Sequence, residues 1–355
     1  RVDRNMLWIV LGRFGLPKNL VNLIRALYDG TILELRVGGD KVDINSTSGV
    51  KQGDCLSPTL FAIVVQSVME TMIWPDGCNP LKFSARPDGA VYSRGKAWIE
   101  AARNAGTTLD FEYRYSLYAD DLAVMYASLA ALHAGTAALI AHFSKFGLEV
   151  HYAHSGKELA SSKTLAMQFS LDRRRKEKQI GHHMFNDQNS GYDVLTLPAP
   201  VTVPSHNVGS KVHPEGSIPF VHEFPYLGTV INSFLDDQAD TRARVLKASA
   251  SWGQLKFVAK QDLPLRMKGR IFETYIISTL IYGSQSWSGK TNLIRHLDVF
   301  CNKCYRSMFS IKISQMKAKG LHMRHLRKKL GLKSVEYYIC RNILRWLGHL
   351  ARMGN

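Results

Sequence analysis

Two adjacent carboxylates, Asp120 and Asp121, are the residues of this chain best suited to chemistry. They sit between two apolar, strand-like runs: Tyr115, Leu117 and Tyr118 before, and Leu122, Ala123, Val124 and Met125 after. Asp is disfavoured in mid-strand and like charges at contact repel, so the pair belongs at the tip of a hairpin. There both side chains can point at a divalent ion. Hard oxygen ligands of this kind suit Mg²⁺, which takes one or two carboxylates plus substrate phosphates. The plain alternative is a solvated turn that happens to hold two acids. The residues around the pair decide between the two.

The elements that must position this pair can be read from periodicity. Asn5 to Phe14 is apolar at helical spacing and is stopped by Gly15-Leu16-Pro17; Pro17 starts a second helix bearing Leu20, Val21, Ile24, Leu27 and Tyr28, closed by Gly30. Ile32 to Val37 alternates like a strand and turns at Gly38-Gly39-Asp40 into Lys41 to Ile44. Pro58 opens a helix that is apolar nearly all round, from Leu60 to Met72, which predicts a place inside the core. Trp74 to Arg114 is polar and turn-rich, and Leu129 to Phe146 is Ala-rich and helical. Residues 171–220 carry Arg173-Arg174-Arg175-Lys176, five prolines and few periodic apolar positions, and read as a poorly ordered insertion. Beyond Asn232 the pattern is mainly helical: Asp236 to Ala259, Pro264 to Tyr282, Leu293 to Met308, Met316 to Leu330 and Val335 to Met353.

At 355 residues the chain is long enough for two or three packed lobes, at about 150 residues per domain. A hydrophobic share of 45% is that of an ordinary globular protein. The net charge of +17 points to a polyanionic partner such as nucleic acid. That charge is concentrated: Lys303 to Arg352 holds thirteen basic residues against one acid, Glu336, and reads as a surface for backbone phosphates. No run approaches about 20 continuous apolar residues, so no membrane partner is expected. The five cysteines are Cys55, Cys78, Cys301, Cys304 and Cys340, and they read as reduced thiols of an intracellular protein, nuclear or cytoplasmic. Cys301-Asn302-Lys303-Cys304 has zinc-like spacing but sits in a helix-periodic apolar run, so it reads as core.

Further motifs stand in order around the acidic pair. Gly49-Val50-Lys51-Gln52-Gly53-Asp54-Cys55-Leu56-Ser57-Pro58 precedes the apolar helix; its glycines allow close backbone approach, Gln52 offers an amide and Lys51 a charge. Phe146-Gly147-Leu148-Glu149-Val150 and Ser162-Lys163-Thr164 follow the Ala-rich helix. Phe224-Pro225-Tyr226-Leu227-Gly228 ends the insertion, and Tyr282 to Trp287 and Leu344 to His349 lie in the basic helical part. Together these resemble the reverse transcriptase of non-LTR (LINE-type) retrotransposons, from residue 1 to about Met353 with the insertion left out.

The resemblance implies an α+β, right-handed fingers, palm and thumb polymerase whose palm sheet carries the Asp-Asp hairpin, followed by a mainly helical basic region. It divides the chain into partial fingers and palm (1–170), the insertion (171–220), a primer-grip hairpin (221–235) and a thumb with basic C-terminal helices (236–355). It implies RNA template, DNA primer or target, and deoxynucleoside triphosphates as partners, and Mg²⁺ or Mn²⁺ held by Asp120 and Asp121. Lys51, Gln52 and Gly53 match the nucleotide-contacting positions. Lys163 matches a lysine near the leaving group, and Phe224, Pro225, Tyr226, Leu227 and Gly228 match the primer grip. Tyr282, Trp287 and Trp346 read as core aromatics rather than base-stacking platforms.

The sequence departs from the family in several places, among them the absence of most of the fingers and the long insertion between Lys163 and the primer grip. Only the ending of the first palm motif, Val2-Asp3-Arg4, is present, and the first metal-binding Asp is expected upstream of Arg1, which makes the chain read as a fragment. Asp3 itself reads as a helix-capping acid. Asp54 stands where the family commonly has Cys. A competing reading is a catalytically inactive retroelement relic that holds nucleic acid only by phosphate contacts; a basic membrane-surface protein fits the charge but not the Asp-Asp hairpin.

Overall fold

The computed structural model describes residues 2–85, 109–169, 198–288 and 291–353. The chain forms two compact units, one of residues 1–166 with 198–220 and a second of 167–197 with 221–355.

The first unit opens with helix α1 (Arg4–Arg13), started by Asp3, whose carboxylate accepts from the Met6 N–H at 2.8 Å, the expected cap. Helix α2 (Lys18–Tyr28) follows, then the hairpin of β1 (Ile32–Val37) and β2 (Asp40–Asn45) and the apolar helix α3 (Ser57–Glu70). Strands β3 (Leu81–Ala85) and β4 (Leu109–Tyr113) pair antiparallel, as do β5 (Tyr115–Tyr118) and β6 (Asp121–Val124). Helix α4 (Leu129–Lys145) completes the core; Leu7, Leu11, Tyr28, Leu60, Val64, Val68 and Phe143 pack together there. The face of β5–β6 made by Tyr115, Leu117, Leu122 and Val124 packs on this core.

Helix α4 is apolar on two sides, which is what its Ala-rich sequence allows. Leu139 and Phe143 face the core just described. Ile140 faces a second one made with Tyr152, Val201, Val203, Ile218 and Phe220. That second core corrects the expectation of a poorly ordered insertion for residues 198–220, the part of 171–220 among the described residues. Residues 201–218 form strands β8 (Val201–Val203), β9 (His206–Val208), β10 (Lys211–His213) and β11 (Gly216–Ile218). Strand β11 lies between β8 and β7 (Ala153–His154). The inward positions Val201, Val203, Gly216 and Ile218 alternate with outward ones, a period of two too short for sequence periodicity to register. Pro204 and Pro214 flank these strands, where a missing N–H breaks no ladder. The basic run Arg173 to Lys176 lies outside the described residues.

The second unit begins with the hairpin of β12 (Glu223–Tyr226) and β13 (Thr229–Asn232). Helices α5 (Gln238–Lys260), α6 (Leu265–Phe272), α7 (Thr291–Met308), α8 (Ile313–Ala318), α9 (Met323–Leu330) and α10 (Val335–Arg352) follow. Helix α6 continues through one π turn, Glu273–Ile277. The core here is helical throughout, with Phe272, Ile276, Leu280, Leu297, Tyr305, Leu330 and Tyr338 buried together. Cys301 and Cys304 are 0% and 1% exposed in it, as the helical spacing predicts. Burial pushes the Cys304 thiol up to about 12 and raises that of Cys301 as well, so neither is a ready thiolate. Met316 to Leu330, expected as one helix, is two: Gly320 at φ +57° ends the first. Among the described residues no helix is long and apolar enough to cross a membrane.

Candidate active site

Strands β5 and β6 pair from Tyr115↔Val124 to Tyr118↔Asp121, leaving Ala119 and Asp120 as a two-residue loop. Such a loop needs a positive φ, which Ala119 supplies at +53°. This is a costly conformation for a residue with a Cβ, of the kind that concentrates at functional sites. Alternation puts Asp121 on the face shared with Ser116 and Ala123, opposite the face that packs on the core. Asp120 and Asp121 are both exposed, at and beside the tip. Two exposed carboxylates in tandem fit Mg²⁺ in its usual mode of one or two protein oxygens completed by phosphate and water. Among the described residues, no group of three or more His, Cys, Asp or Glu side chains converges on one point.

The turn from Gly49 to Ser57 is built around a buried tyrosine. Tyr28, 1% exposed, ends α2 and is in contact with two cations: the Arg4 guanidinium and the Lys51 ammonium are each 5.2 Å from its ring centroid. Lys51 also donates to the Leu27 carbonyl at 2.8 Å, and so neutralises the C-terminal end of α2. Arg4 donates to the carbonyls of Gly49 (3.1 Å), Tyr28 (3.1 Å) and Ser46, pinning the start of the turn to α1. The Tyr28 hydroxyl is 3.0 Å from that of Ser57 and 3.5 Å from an Asp54 oxygen, while Asp54 accepts from the Leu56 N–H at 3.4 Å. Asp54, a departure from the family pattern, therefore serves the start of α3. Gln52 and Gly53 stay exposed at the crest, with Gly53 at φ +86°.

Lys163 is exposed; its backbone N–H donates to His151 Nδ1 at 3.2 Å, and its ammonium has no ion-pair partner among the described residues. The turn Phe146-Gly147 closes on the start of α1: a Cβ on Gly147 would stand 2.8 Å from that of Asp3. Among the described residues, no hydrogen bond or ion pair joins the Asp120–Asp121 hairpin to the Lys51–Gly53 turn or to Lys163.

In the second unit, Phe224 to Gly228 forms strand β12 and its turn. Leu227 (φ +48°) and Gly228 (φ +82°) are the two central residues of a tight, strongly twisted hairpin. Its tip is held by four residues that sequence reading either assigned elsewhere or passed over. Arg244 donates to the Gly228 carbonyl, and its guanidinium lies 4.5 Å from the Tyr282 ring centroid. The Tyr282 hydroxyl donates to the Leu227 carbonyl at 3.1 Å. Asp240 accepts from the Val230 N–H at 3.0 Å and from the Trp287 indole at 2.9 Å. Tyr282, expected in the core, is 52% exposed, and Trp346, also expected there, is 44% exposed. The signal for the pair was the spacing of Asp240 and Arg244, one helical turn apart, which by default reads as a surface ion pair.

Residues 1–167 match a family model described as "Reverse transcriptase (RNA-dependent DNA polymerase)". The matched stretch contains Lys51, Gln52, Gly53, Asp120, Asp121 and Lys163, and ends before β8. The chain is also 23% identical over 132 residues to the transposon-derived protein F52C9.6 of Caenorhabditis elegans. That alignment covers 37% of this chain and 47% of the relative, so the chain spans about half of that protein's length.

Proposed function

We propose that the chain belongs to an RNA-directed DNA polymerase of a non-LTR retrotransposon, adding deoxynucleotides to a primer 3′-hydroxyl on an RNA template. The observation that carries this reading is the Asp120–Asp121 hairpin, with its strained two-residue loop at Ala119-Asp120, within the stretch that matches the reverse transcriptase family. On this reading the first unit carries the palm and part of the fingers, and the second the primer grip and thumb. RNA template, DNA primer and deoxynucleoside triphosphates are the partners, and the nucleus or cytoplasm is the site of action.

Asp120 and Asp121 would hold Mg²⁺ or Mn²⁺. When bound, the ion supplies positive charge for the attacking hydroxyl and the leaving pyrophosphate. Lys163, exposed and without an ion-pair partner among the described residues, is free to meet phosphate charge and to deliver a proton to the leaving group. Gln52 and Gly53, at the crest of their turn, are open to an incoming nucleotide; Lys51 reaches it by leaving the Leu27 carbonyl. The Phe224–Gly228 hairpin would hold the primer end.

A second reading, a relic that binds nucleic acid without turnover, is favoured by Asp54, an acid next to Gly53 that would repel an incoming phosphate. Mg²⁺-dependent primer extension on an RNA template, with the chain extended upstream of Arg1 and with the Asp120→Asn variant of that longer chain, separates the two. Extension by the chain that drops by about a hundredfold or more in the variant supports the polymerase. Nucleic-acid binding without extension in either supports the relic.

A further inference from the structure

Outside the stretch that matches the polymerase family, one surface combines charge, exposure and local geometry. Helices α8 and α9 are joined by four residues, 319–322, with Gly320 in the left-handed region. A short glycine-bearing turn between two helices is the connection used by helix-turn-helix proteins, whose second helix lies on the nucleic acid. The second helix here, α9, reads Met-Arg-His-Leu-Arg-Lys-Lys-Leu.

Its sides are sharply divided. Leu326 and Leu330 are buried, 4% and 1% exposed, and Leu330 belongs to the helical core. Arg324 and Lys328, one turn apart, fall on the opposite side and are exposed, with Lys329 exposed beside them. Lys317 and Lys319 precede this face and Lys333 follows it, all exposed. None of the six pairs with a carboxylate among the described residues; Lys333 lies 5.9 Å from the Tyr337 ring centroid. Arg327, by contrast, lies near the half-buried Asp298, whose carboxyl is pushed up by burial and drawn down in part by Arg327.

Unpaired cations held at close spacing repel each other, and the repulsion is relieved by a polyanion. A membrane surface would also call for an exposed apolar face on the same helix. Helix α9 has none, because both its leucines are buried. We infer that the α8–α9 surface is a sequence-independent clamp for a phosphodiester backbone, centred on Arg324, Lys328 and Lys329. It goes beyond the polymerase reading, since it binds whether or not the Asp120–Asp121 hairpin turns over nucleotides.

The test is fluorescence anisotropy of the full chain with labelled duplex DNA and with labelled single-stranded RNA, without Mg²⁺. Salt would be titrated over about 50–200 mM KCl. The Arg324→Gln/Lys328→Gln/Lys329→Gln variant should bind at least about tenfold more weakly, with a log K against log salt slope shallower by about 2–3. The charge-conserving Arg324→Lys/Lys328→Arg/Lys329→Arg variant should retain both affinity and slope. A matched thermal melt checks that the neutral variant is folded. The relative loss on DNA and on RNA tells which backbone the surface holds. The inference is overturned if the parent chain binds neither probe, if the folded neutral variant keeps the parent's slope, or if the charge-conserving variant loses binding as fully as the neutral one. It is equally overturned if the neutral variant loses binding only to phosphatidylserine vesicles and keeps it to both nucleic acids.

Discussion

Arg244 lies one turn beyond Asp240 on α5, its Nε 3.3 Å from an Asp240 oxygen, and both side chains are 5% exposed. A buried ion pair offsets its desolvation only when the remaining lone pairs and protons also find partners. Here both charges have further partners, and each partner lies at the β12–β13 hairpin or beside it: Gly228, Val230, Tyr282 and Trp287. The tip of a two-stranded hairpin, marginal on its own, is thereby fixed from one helix.

Removing one partner leaves the other charge buried and alone. Arg244→Met is expected to destabilise the second unit by about 3–5 kcal/mol in urea unfolding. The double variant Asp240→Asn/Arg244→Met should recover a clear part of that loss, because no uncompensated charge is left. A double variant no more stable than Arg244→Met would mean that the pair is not coupled.

Two helical glycines should respond with opposite signs. A Cβ on Gly269 in α6 would stand 1.9 Å from the Leu330 carbonyl oxygen of α9, so the two helices approach across a space that only glycine leaves open. Gly269→Ala should cost about 1–3 kcal/mol or more despite the better helix propensity of alanine. Gly253, exposed in α5, has nothing within 4 Å of a built Cβ, and Gly253→Ala should stabilise by about 0.5–1 kcal/mol. Thermal melts of the two variants beside the parent chain check both signs.

The first unit should lose stability in mild acid. His142 and His213 both have pKa values lowered from 6.5, chiefly by desolvation; His213 is lowered further by His206, stacked 4.7 Å away, and by Lys211. A lowered histidine favours its neutral form in the folded state, so the unfolded chain takes up the proton first. The contribution is thus present above the ordinary histidine range and lost as pH falls through it. Thermal midpoints should decline across that window, and His213→Asn should flatten the decline. Glu149, whose pKa is lowered by its hydrogen bond from Lys211, adds a separate loss below the carboxylate range.

The local elements of this chain were legible because they follow from short-range rules. The Asp3 cap, the α3 interior helix, the glycine turn before β2 and the buried helical Cys301 and Cys304 all came out as expected. The strands at 201–218 did not, because three-residue strands carry too few alternations to outweigh the prolines around them; they exist because α4 offers Ile140 and its neighbours as a second apolar face. Nor could the sequence reveal that Lys51 and Arg4 both reach the Tyr28 ring, 23 and 24 residues away from it, or that Tyr282 serves a turn 55 residues earlier.

What the sequence determined by itself was the chemistry on offer: two carboxylates in a tight turn, a charged and glycine-bearing loop, and a basic tail of thirteen cations. Residue type and spacing along a few positions are enough for that, since turn geometry and charge are local properties. Which polar groups end up buried and partnered was decided only by tertiary structure. Desolvation and hydrogen-bond satisfaction depend on segments distant in sequence arriving at one place, as α5, β12–β13 and Trp287 do around Asp240.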